Sequence, residues 1–218
     1  MPEQLLPFRD LIDSGLPGTD TVKQIVPSSP DLIIRHNPLR KFTYQDAITG
    51  KRELAALQRY GIHLPMIDMV YVEGCNSGIG QIYTIVERVK GVTLNKALRT
   101  PSDEFIEKYQ MLYIGLTHYL ADRARPGSVH FKNLIGHNNF VYGTGTIRET
   151  TTPQIYPVDV ELWFAGFEKA RGNPLYHAWL RRLGDIVADI IRAEAISKIR
   201  LPKARKAVGS VLESLIAK

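Results

Sequence analysis

Apolar and polar residues alternate in the first part of the chain and recur every three or four positions in the second, which predicts strands before helices. Residues 1 to 20, rich in Pro, Gly and Asp, read as a loosely built lead. Thr21 to Val26 and Asp31 to His36 read as two strands joined by the turn cluster Pro27-Ser28-Ser29-Pro30. Asn37 to Thr49 reads as a polar linker. A short helix follows, with Leu54, Ala55 and Leu57 on one face, Arg52 and Glu53 near its start, and Gly61 as its stop. Met69 to Val72 and Ile82 to Val86 are β-branched and aromatic runs on either side of the turn signal Asn76-Ser77-Gly78, the pattern of an antiparallel pair.

Ser102 reads as the N-cap of a long helix, with Asp103 and Glu104 in its first turn and Phe105, Tyr109, Leu112, Leu116, Tyr119 and Leu120 at helical spacing. Pro126-Gly127 should stop it near Arg125. Residues 128 to 142 read as a loop and strand, Gly143 to Pro153 as a hairpin or loose tip, and Ile155 to Leu162 as another strand. From Asn173 the pattern is helical, with Leu175, Trp179, Leu183, Ile186, Val187, Ile190 and Ile191 along one face. A last helix runs from about Lys203 to Ile216. Strands first and helices second predict an α+β chain of two lobes: residues 1–88 an antiparallel sheet plus one helix, residues 89–218 mainly helical.

Composition sharpens this picture. With 218 residues and 44% hydrophobic content, the chain suffices for one large domain or two small lobes. Its apolar runs break well before the roughly 20 residues of a membrane span, and its start lacks a basic region followed by an apolar one. A soluble, cytoplasmic protein is expected. The single cysteine, Cys75, excludes an internal disulfide and falls in a turn, where it reads as an incidental thiol. The net charge of +6 comes entirely from residues 171–218, where ten Lys or Arg face Asp185, Asp189, Glu194 and Glu213. This basic end reads first as a solvated helix face; an acidic protein partner or nucleic acid is the alternative. The six histidines show no spacing suited to zinc, and no nucleophile elbow, Walker loop or dinucleotide fingerprint occurs.

The stretch 52–98, a helix acid in RELAAL, a hairpin, a strand ending in Val86-Glu87-Arg88-Val89 and then Gly91-Val92-Thr93-Leu94, resembles the protein-kinase-like superfamily. Within it, the similarity is to the aminoglycoside phosphotransferase and choline kinase branch. That resemblance implies a two-lobed protein-kinase-like fold, with a small strand-rich N-lobe and a helical C-lobe. It also implies ATP and Mg²⁺ as ligands.

Phosphoryl transfer rests on positioning and charge neutralisation, so each part can be sought separately. Arg35 stands where the resembling families place a strand lysine; it either grips phosphate and pairs with Glu53 or ends its strand at the surface. Glu53 matches the helix acid, its alternative being a first-turn Glu favoured by the helix dipole. Glu87 and Val89 lie on the segment whose backbone would hold a base. Asn139, or Asn138 beside it, and Asp159 match the metal-side positions of the resembling families, the alternative for Asp159 being a strand-end residue facing solvent. Counting five residues back, the base position falls on Leu134 from Asn139 or on Asn133 from Asn138; neither is an Asp, and Asn133 accepts a hydrogen bond but carries no charge and cannot take a proton. Gly15-Leu16-Pro17-Gly18 is a poor phosphate loop, and the Ala-Pro-Glu segment of protein kinases is missing. The reading is a pseudokinase with residual ATP and Mg²⁺ binding and a regulatory or scaffolding role. Its alternatives are an atypical small-molecule phosphotransferase and a basic nucleic-acid or partner-binding scaffold.

Overall fold

The computed structural model describes residues 22–26, 29–36, 41–74, 79–123, 129–131, 134–147, 151–158, 160, 164–166 and 174–216. It is a mixed α/β structure of small sheets and helices. Strands β1 (Val22–Val26), β2 (Ser29–His36), β3 (Ile67–Glu73) and β4 (Gly80–Glu87) form an antiparallel sheet in the order β1-β2-β4-β3, with helix α1 (Tyr44–Arg59) inserted between β2 and β3. β4 lies between two neighbours and is buried along nearly its whole length, which explains its unbroken apolar run. Pleat alternation divides this sheet into two faces. Met69 and Ile82 join the main core, while Tyr83 and Ile85 join Ile34 in a small cluster on the opposite side.

α1 starts earlier than its apolar pattern suggests. Thr43 caps it in a reciprocal box: the Asp46 N–H donates to Thr43 Oγ1 at 3.3 Å and the Thr43 N–H donates to Asp46 Oδ2 at 2.7 Å. The expected polar linker therefore contains the first six residues of the helix, and Glu53 sits in the helix interior rather than near its start. The buried stripe is Ala47, Gly50, Leu54 and Leu57 with Ala56, while Ala55 faces solvent. At the other end Gly61 takes φ 74°, and the N–H groups of Gly61 and Ile62 donate to Gln58 O at 3.0 Å and Leu57 O at 3.2 Å. A left-handed residue closing the last turn in this way is what glycine permits without strain.

Beyond β4 the chain enters β5 (Val89–Thr93) and a single turn of helix, α2 (Leu94–Ala97). Helix α3 (Asp103–Asp122) follows, capped by Ser102 as expected, since the Phe105 N–H donates to Ser102 Oγ at 3.2 Å. Its inner face buries Phe105, Tyr109, Tyr113, Leu116 and Tyr119. α3 crosses the end of α1 at Gly115, where a Cβ would lie 2.4 Å from Tyr60 O. Further on, β6 (Val129–Phe131) pairs with β9 (Phe164–Gly166), and a 3₁₀ turn at His137–Asn139 leads into β7 (Phe140–Gly145). β7 pairs with β5 and with β8 (Gln154–Pro157), giving a second, three-stranded sheet.

Helices α4 (Pro174–Ser197) and α5 (Pro202–Ile216) pack with α3. Leu183, Ile186 and Ile190 of α4 are buried as the apolar stripe requires, but Ile191 is 51% exposed and lies off it. Lys198 between the two helices has φ 57°. Several basic side chains of this end meet acids: Lys203 Nζ lies 2.8 Å from Glu107 Oε1, and Arg205 pairs with Glu194. Among the described residues no helix is long and apolar enough to cross a membrane.

Candidate functional site

The two principal sheets meet where β4 becomes β5, and a cavity of about 190 Å³ opens there. Ile33 and Arg35 of β2, Val86 and Glu87 of β4, Arg88, Val89 of β5, Val141 of β7, and Val158 line it. Strand register explains the gathering. Ile33 lies opposite Val86 and Arg35 opposite Thr84, so these four share one face, the one that carries Ile82 toward α1. Five of the eight lining residues are aliphatic, and the cations Arg35 and Arg88 border them.

Three of the residues singled out from sequence, Arg35, Glu87 and Val89, thus meet in one cleft. Asn139 is tied to its wall: the Val158 N–H donates to Asn139 O at 2.9 Å, extending the ladder in which Phe140 pairs with Pro157. Asn139 Nδ2 donates to Ile135 O at 2.9 Å, which braces the turn. Val158 immediately precedes Asp159 in the chain. Asp159 itself, Asn133, Cys75 and the Gly15–Gly18 segment lie outside the described residues. Among the described residues no group of three or more His, Cys, Asp or Glu is placed to hold a metal ion.

Glu53 lies elsewhere. Its carboxylate bridges α1 to α3: Arg123 Nε donates to Oε2 at 3.0 Å and Nη2 to Oε1 at 3.2 Å, while the Tyr119 hydroxyl donates to Oε2 at 2.6 Å. Of the two readings of Arg35, pairing with Glu53 is replaced by Arg123, whose guanidinium also stacks 4.3 Å from the centre of the Tyr119 ring. Burial works against the Arg123 cation, but the hydrogen bonds and charge of Glu53 outweigh it and hold the guanidinium above its ordinary pKa. Burial, reinforced by the Glu53 charge, pushes the Tyr119 phenol well up, so it remains a donor.

Glu87 is 1% exposed, and its carboxylate is used structurally. It accepts the N–H of Met66 at 2.9 Å and that of Ile147 at 2.5 Å, tying the approach to β3 and the end of β7 to the junction between the sheets. Gly145 permits this approach, because a Cβ there would lie 2.5 Å from Glu87 Oε1.

A buried polar cluster holds the turn that carries Asn139. Asp189 of α4 accepts the N–H of Gly136 and the hydroxyl of Tyr113, both at Oδ2 and at 2.9 Å. His137 meets Asn95 Oδ1 through Nδ1 at 3.1 Å and the Tyr109 hydroxyl through Nε2 at 2.8 Å. Asn95 accepts through Oδ1, so Nδ1 carries a proton, while the Tyr109 hydroxyl facing Nε2 also donates to Asp189 O at 3.2 Å. Burial lowers the His137 pKa below its ordinary value; the charge of Asp189 opposes this and that of Arg192 adds to it. Sequence reasoning took Tyr109 as core and missed this cluster. The signals available were an acid inside the apolar pattern of α4 and tyrosines spaced one helical turn apart on α3.

No protein-family model matches the chain, and no curated protein matches it. Among solved structures, the chain is similar to the apo GRMZM2G135359 pseudokinase, at 9% identity over 91% of this chain and 89% of that one, with a TM-score of 0.33. It is also similar to the maize SIRK1 (sucrose-induced receptor kinase 1) kinase domain bound to AMP-PNP, at 13% identity over 88% of this chain and 63% of that one, with a TM-score of 0.31.

Proposed function

We propose that the chain is a kinase-like nucleotide-binding protein, with lobes at residues 1–88 and 89–218, that works as a pseudokinase in regulation or scaffolding. The observation that carries this reading is the cleft itself, where Arg35, Val86, Glu87, Val89, Val141 and Val158 meet between two sheets. Its aliphatic walls suit a flat ring, and Arg35 supplies a cation for a phosphate. Asn139 and Asp159 would hold Mg²⁺ through oxygen, the ligand type this hard cation prefers. Adjacency supports their pairing, since Val158 next to Asp159 bonds to Asn139. Bound Mg²⁺ would neutralise phosphate charge. Glu53 holds α1 to α3 in this reading, and the loop position at Asn133 has no base, so phosphoryl transfer should be absent.

ATP with Mg²⁺ is expected to raise the melting temperature, and Asp159→Ala and Arg35→Ala are each expected to abolish that rise. No shift at millimolar ATP would reject the reading. Transfer of a labelled γ-phosphate to small hydroxylated or amine acceptors, lost in Asp159→Ala, would replace the pseudokinase by an atypical phosphotransferase.

A further inference from the structure

Away from the sheet junction, a larger cavity of about 360 Å³ lies where the end of α1, the first half of α3 and the start of β8 come together. Three local features build it. Gly61 turns the chain with φ 74°, and His63 follows on the cavity wall. Lys108, Met111 and Leu112 stand at i, i+3 and i+4 on α3, so they share one face of that helix. Gln154 and Ile155 open β8 on the other side, and Lys108 Nζ reaches across to donate to Pro153 O at 2.5 Å. Leu112 and Ile155 are buried while Met111 is 50% exposed, which gives an apolar floor with an adaptable thioether at the mouth.

The polar groups of this cavity suit a single negative charge. Lys108 also donates to Glu104 Oε1 at 2.5 Å, but Glu104 is half exposed and one turn away on the same helix, a pairing worth little and open to exchange. An ammonium has three hydrogens, so a bound anion meets the third or takes the place of Glu104. Burial and the nearby Lys108 charge hold the His63 pKa below its ordinary value, so the ring is neutral at neutral pH and offers one N–H. This is enough for a carboxylate and too little for a phosphate dianion, which calls for several charged donors. The volume lies within the range of small-molecule sites, about 300–1,000 Å³, and the floor is apolar as theirs are. We propose that the cavity binds a small carboxylate with an apolar body, its oxygens on Lys108 and His63 and its body against Met111, Leu112 and Ile155. The site is independent of the nucleotide reading.

Titration of the full chain with benzoate and with hexanoate, followed by calorimetry and by the NMR signals of the His63 ring, tests this, with benzamide as the uncharged probe shaped like benzoate. At least one carboxylate is expected to saturate in the millimolar range and to shift the His63 signals. Benzamide should bind at least about tenfold more weakly than benzoate, and Lys108→Gln should weaken the carboxylate by about tenfold or more, the size of one hydrogen bond to a charged group. Met111→Glu places a like charge at the exposed mouth, away from the core, and should weaken carboxylate binding by at least about threefold at an unchanged melting temperature of the free protein. Failure of both carboxylates to saturate would overturn the proposal. So would binding that leaves the His63 signals in place, equal affinity for benzamide and benzoate, or unchanged carboxylate affinity in folded Met111→Glu.

Discussion

Replacing Glu53 by Gln separates a structural role from a nucleotide-site role. The carboxylate is 14% exposed and its partner Arg123 is 13% exposed, so the pair is largely withdrawn from water. Gln keeps the volume and one acceptor oxygen but loses the charge and the two-pronged match to the guanidinium. Hydrogen bonds to charged groups are worth about 1.5–3 kcal/mol each, and breaking a buried ion pair costs about 3–5 kcal/mol. Residual exposure and the retained Tyr119 hydrogen bond place Glu53→Gln near the low end, at about 2–3 kcal/mol. For a chain of this size each kcal/mol moves the melting point by about 2–4 °C, so a fall of about 4–12 °C is expected. Urea unfolding of Glu53→Gln, Arg123→Gln and the double variant would show the coupling. The two single losses should sum to at least about 1 kcal/mol more than the double loss, as contacting residues do. Unchanged stability in Glu53→Gln, or lost ATP binding at unchanged stability, would refute the reasoning and return Glu53 to the nucleotide site.

Gly115→Ala should destabilise by about 1–3 kcal/mol, the range for overpacking, because its Cβ would press on the backbone oxygen of Tyr60; urea unfolding measures it. Lys198→Gly should stabilise by about 0.5–1 kcal/mol, since glycine adopts φ 57° without strain and offsets its own chain entropy; a raised denaturation midpoint checks it. His137 has a folded pKa below its ordinary value, so the unfolded chain binds the proton first. Its contribution to stability is complete above about pH 6.5 and is lost as pH falls through the folded value. Urea midpoints should drop between pH 7.5 and 5.5, and the drop should shrink in His137→Asn. The hydrogen bonds of Arg205 hold the Glu194 carboxyl below its ordinary pKa. Stability from this group is present above the unfolded carboxyl pKa of about 4.3 and is lost on further acidification, a limb that Glu194→Gln should flatten.

Much of the fold was legible from local rules. Strands β1 to β4 followed β-branched runs and turn residues, and α3 followed Ser102, its acidic first turn and an apolar stripe, because capping and periodicity act within a few residues. The start of α1 was hidden because Tyr44 to Gly50 is polar on its exposed side, and the capping box of Thr43 and Asp46 was the available clue. The exposed position of Ala55 shows the limit of reading a helix face from three residues.

The sequence by itself determined β1 to β4 and α3, because side-chain periodicity and capping are local, and its family resemblance brought Arg35, Glu87, Val89 and Asn139 into view as candidates; β9 (Phe164–Gly166) falls where only helices were expected. Only the tertiary structure decided the partners. Glu53 pairs with Arg123, 70 positions along the chain, and Asp189 reaches back to Gly136 across 53. The reason is physical. Once helices and sheets pack, a buried charge must bond to whichever donor the packing brings within reach, and that choice depends on where distant segments cross.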